Sequence, residues 1–294
     1  MKHARILFAT ALLAIASPAI AQDARQIIVK ADQAANHSYM SSIRVMQFTT
    51  CRYNITDGKL SCREKPRVIK VESVHRGYDV KGLPDRSNKA FDVIIEPVNE
   101  KGTSTLSYSY AEDEKDSDFW IYLPALAKVK RIVSVSDSNE SGALFGSELS
   151  TEDADVRRIK DYTYRLLGQE TVRGRQAWMI ELTPTAYRRT RSYYSKIVVW
   201  VDKERSILLK EDLYDRSGRH YKQRTALNVE RIDGTWIVTK GSMNNLFSKR
   251  ITMWDERGTK LNVDIDDEFL SQRSLTDFAY RERMMAKYRG YIRK

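Results

Sequence analysis

The chain is predicted to be mainly β, an antiparallel sheet curled into a closed or half-closed barrel with a few helices against it. Three observations predict this. Segments such as Leu106-Ser107-Tyr108-Ser109-Tyr110 alternate strictly, and Ile197-Val198-Val199-Trp200-Val201 is β-branched and aromatic. Turn signals fall between such runs at Asp57-Gly58, Arg173-Gly174, Ser217-Gly218, Asp233-Gly234 and Arg257-Gly258. No βαβ rhythm and no repeat of fixed period occurs, and short connections favour antiparallel neighbours. So many strands in one sheet must curl.

The N-terminus reads as an export signal. Lys2, His3 and Arg5 form a basic region, Ile6 to Ile15 is apolar, and Ala19-Ile20-Ala21 is a small-x-small cleavage pattern. The apolar run is too short to span a bilayer as a stable helix, although a short N-terminal anchor is the competing reading. Residue 22 is Gln rather than Cys, so a bacterial lipoprotein anchor at that point is not expected. The expected organisation is a signal peptide over 1–21, one domain over 22–274 and a basic helix or tail over 275–294. The expected location is the periplasm.

Asp23 to Tyr39 places Ile27, Ile28, Ala31, Ala34 and Ala35 on one helical face, which must pack on something larger. The two cysteines, Cys51 and Cys62, flank a hairpin signal, with Ile55 to Gly58 as its loop and the cysteines opposite one another. In an oxidising compartment they pair, contributing roughly 3 kcal/mol in the chain-entropy model. Residues 111–118 form an acidic, solvated loop. Ser136 to Ser141 is loop-like, and Ser150-Thr151-Glu152-Asp153 starts a short helix. From Asp161 onward the chain is a meander that includes Trp178-Met179-Ile180-Glu181-Leu182 and turns near Gly174, Ser206 and Gly218.

The formal charge is +11 for the whole chain; without Lys2 and Arg5, 48 basic and 39 acidic residues leave +9. Export removes nucleic acid as the partner of this charge, leaving anionic lipid, an acidic protein or simple solvation. Arg281, Arg283, Lys287, Arg289, Arg293 and Lys294 make the last segment basic, with Phe278, Met285 and Tyr288 along one side. Such a tail suits an anionic membrane surface or a protein partner, or is a frayed end.

No catalytic constellation emerges. His37, His75 and His220 are far apart, no HExxH or GxSxG occurs, and no Gly-rich phosphate loop is present. Asp264, Asp266, Asp267 and Glu268 lack the glycine and closing Glu of a calcium loop. No metal, no cofactor and no enzymatic activity are expected; a hydrolase would require acids that converge in a polar cleft.

One stretch carries a family likeness. Asp118-Phe119-Trp120-Ile121-Tyr122-Leu123-Pro124, Lys130-Arg131-Ile132 and Phe145-Gly146-Ser147-Glu148-Leu149-Ser150 resemble the outer-membrane lipoprotein-sorting protein family of the LolA-like superfamily. The pattern continues through Asp161-Tyr162, Trp200-Val201-Asp202-Lys203, Glu211 to Asp215, Gly234 to Trp236 and Met243-Asn244, covering Asp118 to about Leu270. The resemblance implies a curved antiparallel sheet forming an incomplete β-barrel, covered by helices on its concave side. It also implies a cavity for the acyl chains of a lipoprotein or lipid, and service beside an RND-type or lipid-exporting transporter.

On that basis Trp120, Tyr122, Leu123, Phe145, Leu149, Trp178, Trp200, Trp236 and Met243 are candidate cavity or lid residues, with Phe145-Gly146-Ser147 as a hinge. Arg131 is a candidate for holding the lid or a head group. Each of these is also a plausible core or surface strand residue. The competing function is an envelope sensor or adaptor that uses the same fold to bind a partner protein.

Overall fold

The computed structural model describes residues 23–112, 115–132 and 143–292. The expected signal peptide, the Ser136–Ser141 loop and the last two basic residues lie outside them.

Among the described residues fourteen strands make one antiparallel sheet. The first meander comprises β1 (Ser41–Thr56), β2 (Lys59–Cys62), β3 (Arg67–Asp79), β4 (Arg86–Glu96), β5 (Ser104–Ser109), β6 (Asp118–Leu123) and β7 (Lys128–Ile132). The second comprises β8 (Tyr162–Val172), β9 (Arg175–Pro184), β10 (Tyr194–Asp202), β11 (Leu208–Asp215), β12 (His220–Ile232), β13 (Thr235–Asn245) and β14 (Arg250–Leu261). The two meanders join where β1 pairs with β14, and β2 pairs only with β1. Among the described residues β7 and β8 are the free edges, so the sheet is open rather than a closed barrel. Side chains tie the two margins together: Arg158 donates to the Glu112 carbonyl and Lys160 to that of Ala111.

Helix α1 (Ala24–Asp32) follows its Asp23 cap and runs into a π-turn over Gln33–His37, which ends the predicted N-terminal helix. It buries Ala24, Ile27, Ile28 and Ala31 in one cluster with residues from β8, β9, β10, β11, β13 and β14. A flat sheet would put β8 and β14 about 30 Å apart at ~4.8 Å per strand, whereas nine helical residues span only about 14 Å. The sheet therefore curls around α1, whose side is the inner face.

Helices α2 (Thr151–Ala154) and α3 (Ala186–Arg189) are single turns, and the C-terminal helices α4 (Arg273–Thr276) and α5 (Phe278–Ile292) pack on the other face. Ile43, Val74, Phe91, Leu106 and Trp120 are in direct cross-strand register and share a cluster with Phe269, Leu275, Met285 and Tyr288. Phe48, five residues after Ile43 on an unbroken strand, points the opposite way and packs against the α1 cluster. Helix α5 is thus docked: Tyr280, Met285 and Tyr288 are buried, while Arg289 grips Glu72 of β3 at 2.6 and 2.7 Å.

Two local expectations need correction. Arg257-Gly258 is not a turn; it sits inside β14 at a bulge opposite Val45 and Met46. A Cβ on Gly258 would lie 2.7 Å from Ile292 of α5, so the glycine admits the helix. The hairpin loop is only Asp57-Gly58, both at positive φ, and Thr56 pairs with Lys59. Cys62 consequently faces Tyr53, and the disulfide runs diagonally to Cys51 with the Cα atoms 5.7 Å apart.

Candidate functional site

Between α1 and the inner face lies a cavity of about 440 Å³. Ile28 and Ala31 form its helical wall, and Phe48, Leu182, Val199 and Trp254 form much of the sheet wall. Trp254 fits because Gly241, its partner on β13, has no side chain; a Cβ there would come within 2.0 Å of the indole.

Several charged groups in the wall are paired with one another. Arg44 donates to Glu256 at 2.9 Å and to the Tyr39 hydroxyl at 2.7 Å. Burial acts to lower the Arg44 pKa, but Tyr39 and Glu256 outweigh it and hold the guanidinium charged. Glu211, 2% exposed, is held by Arg157 at 2.5 Å and Arg224 at 3.5 Å, and Arg224 also lies over Trp254. At the helical rim, burial raises Asp32 despite its contacts with Asn36 and His37. The arrangement offers an apolar chamber whose ions are compensated within the protein. Among the described residues no three His, Cys, Asp or Glu side chains group as metal ligands.

The segment from Ala143 to Asp161, which leads into edge strand β8, is clasped over the inner face. Its short helix α2 (Thr151–Ala154) starts at Ser150 with a reciprocal cap to Asp153. Asp153 accepts from Lys222 at 3.0 Å and from the Tyr194 hydroxyl at 2.6 Å. Burial alone would raise its pKa, yet Lys222, Tyr194 and Ser150 hold it below the ordinary carboxylate value. Glu148 takes Arg250 at 2.7 Å, and Glu152 takes Arg188 at 2.8 Å.

The sequence-predicted residues divide between the two faces. Leu149 and Trp236 line the cavity. Trp178 and Met243 belong to the inner-face core around it. Phe145 packs on Ile69, Val71 and Ile94, outside the cavity wall. Phe145 and Gly146 both have positive φ in a loop closed by Leu144 N–H to the Leu149 carbonyl and by Arg67 to the Phe145 carbonyl. Ser147 is buried in the same loop.

Trp120 and Tyr122 lie under the C-terminal helices on the outer face. Trp200 belongs to a separate cluster with Val198 and Leu209. Leu123 ends β6, half-buried, and Arg131 sits exposed on edge strand β7, paired with Asp118. The acidic loop is not simply solvated: Asp116 pairs with Arg191 at 2.9 Å, and Ser117 donates to Asp155.

Sequence reasoning missed Arg44, Phe48, Arg157, Glu211, Trp254 and Glu256. The available signal was Arg44-x-Met46-x-Phe48, one face of a strand carrying a single cation among large apolar groups.

Comparisons place this geometry among known proteins. A family model described as uncharacterized protein-like matches residues 86–277. A DUF1329 family protein from Desulfovibrio piger is 26% identical with a TM-score of 0.74, covering 86% of this chain and 97% of its own. An outer membrane lipoprotein-sorting protein domain from Vibrio parahaemolyticus is 25% identical with a TM-score of 0.70, covering 86% and 98%. The chain belongs to the family of that model, and its structural neighbours are DUF1329 and LolA-like proteins. A LolA superfamily protein from Nitrosomonas europaea, 21% identical with a TM-score of 0.60 over 85% and 97%, shares the fold. No curated protein gives a significant match. The shared fold here takes the form of an open sheet with α1 inside and α5 outside.

Proposed function

We propose that the protein is a periplasmic carrier that binds an acyl chain of a lipid or lipoprotein in the cavity under α1. The carrying observation is the chamber itself, about 440 Å³, walled by Ile28, Phe48, Leu182, Val199 and Trp254, with Arg44, Arg157, Arg224, Glu211 and Glu256 of its wall already paired. An apolar cavity of about 150 Å³ takes a benzene, or ~25 Å³ per carbon. On that scale the chamber suits roughly 18 carbons, a single long acyl chain. Each buried methylene contributes about 0.8 kcal/mol, so affinity grows with chain length without any charged contact. The similarity to an outer membrane lipoprotein-sorting domain supports the same cargo class.

Val238 lies on the chamber wall, half-buried. Filling the chamber by Val238→Trp is expected to reduce uptake of a fluorescent long-chain fatty acid roughly tenfold, equivalent to about 1.4 kcal/mol, with the fold retained by circular dichroism. Uptake equal to that of the parent protein would remove this chamber as the binding site.

A further inference from the structure

We propose that the end of the sheet bearing the β1–β2 hairpin docks on an anionic lipid bilayer. Of the eight large hydrophobic side chains exposed among the described residues, all but Met40 lie at this end. Strand registers put them there: Thr50 faces Arg67, Lys70 faces Glu96, Ser104 faces Tyr122 and Asn245 faces Arg250. The turns that follow these pairs carry Val98, Leu126 and Phe247, exposed by 87%, 53% and 49%. Phe278 joins them beside Tyr122, with ring centroids 5.4 Å apart.

The hairpin reaches furthest. Strand β1 pairs with β3 only to Thr50 and with β14 only to Arg52, so Asn54 to Ser61, exposed throughout, stands beyond the sheet. Ile55 and Leu60 are cross-strand partners on it, 66% and 42% exposed. A free two-stranded hairpin is marginal in water, and the Cys51–Cys62 bridge holds this one at its base. Its ladder satisfies much of its own backbone, which allows the tip to enter a lipid interface without losing hydrogen bonds.

The charges fit an anionic surface. Lys59, Arg63, Lys65, Lys101, Lys128 and Lys249 surround these tips, all exposed, and none makes an ion pair among the described residues. Of the acids at the same end, Glu96, Glu100 and Glu148 are each held by a cation. Among the described acids there, only Asp57 and Glu64 are exposed without an ion pair, which leaves the six cations in excess. Each Lys or Arg near anionic headgroups adds roughly fivefold in affinity. Isolated apolar tips on separate turns, spaced by lysines, offer no groove for a protein segment. They match an interface where apolar groups enter the acyl boundary and amines stay among the headgroups. The basic surface is therefore this turn-bearing end rather than α5, whose Arg289 is committed to Glu72 and whose Arg281 is buried.

Flotation of the whole protein with vesicles tests this. Binding is expected to phosphatidylcholine vesicles containing phosphatidylglycerol, weak to phosphatidylcholine alone, and falling with salt. Ile55→Asp with Leu60→Asp is expected to lower vesicle affinity roughly tenfold or more, while Met40→Asp at the opposite end leaves it unchanged. Fatty-acid uptake reports that these surface variants remain folded and separates docking from cargo binding. Leu126→Trp, which keeps the tip apolar, is expected to give a blue-shifted indole emission on the mixed vesicles. Parent protein that does not float, tip variants that float equally, or an unshifted Leu126→Trp emission would each overturn the proposal.

Discussion

Arg44 of β1 and Glu256 of β14, 212 positions apart in the chain, pair at 2.9 Å across the seam that joins the two meanders. The Glu256 side chain is 4% exposed, so this bond is made away from water. The pair does two things. It closes the register of the first strand against the last, and it neutralises the charges that would otherwise line the chamber.

Removing one partner leaves the other buried and uncompensated, which costs about 3–5 kcal/mol, whereas replacing both by apolar groups is often neutral. Arg44→Met is therefore expected to lower the urea midpoint strongly, and Arg44→Met with Glu256→Leu to recover most of the loss. A single variant as stable as the parent would show that the seam does not depend on this pair.

Acid should weaken the fold through His75. Burial pushes its imidazole down from 6.5 to about 4, and the nearby Arg44 and Arg86 act in the same direction. Below pH 6.5 the unfolded chain takes up a proton that the native protein refuses. The stability associated with neutral His75 is thus complete above 6.5 and is lost as pH falls towards 4, by roughly 3 kcal/mol. Denaturation midpoints across that window should fall in the parent and fall less in His75→Gln. Parallel slopes would assign the acid sensitivity to other groups.

Gly241→Ala probes the chamber wall. The added methyl would meet the Trp254 indole at 2.0 Å, closer than any relaxed contact. The indole must then move into the chamber, at a cost of about 1–3 kcal/mol for overpacking. Weaker fatty-acid uptake together with a lower melting temperature is expected; parent-like values for both would mean that the ring is free to turn elsewhere.

Much of the fold was legible because its signals are local. The face of α1 follows from the spacing of Ile27, Ile28 and Ala31, and the meander from turns at Gly174, Gly218 and Gly234. Gly258 misled because a glycine inside a strand serves a bulge as readily as a turn.

The site was legible only in part. Alternation separates two faces of a strand without saying which is inner, and here helices cover both. Trp120 therefore looks as buried and aromatic as Trp178, although α5 covers the first and the α1 side holds the second. The pairs Arg44–Glu256 and Lys222–Asp153 join residues 212 and 69 positions apart, so no spacing in the sequence announces them.

The most direct test of the carrier reading is native mass spectrometry with lipid extraction on protein purified from the cells that make it. The account predicts an added mass equal to one acyl-bearing molecule per chain, reduced in Val238→Trp. A clean apo mass that also refuses added fatty acid and phospholipid would contradict it.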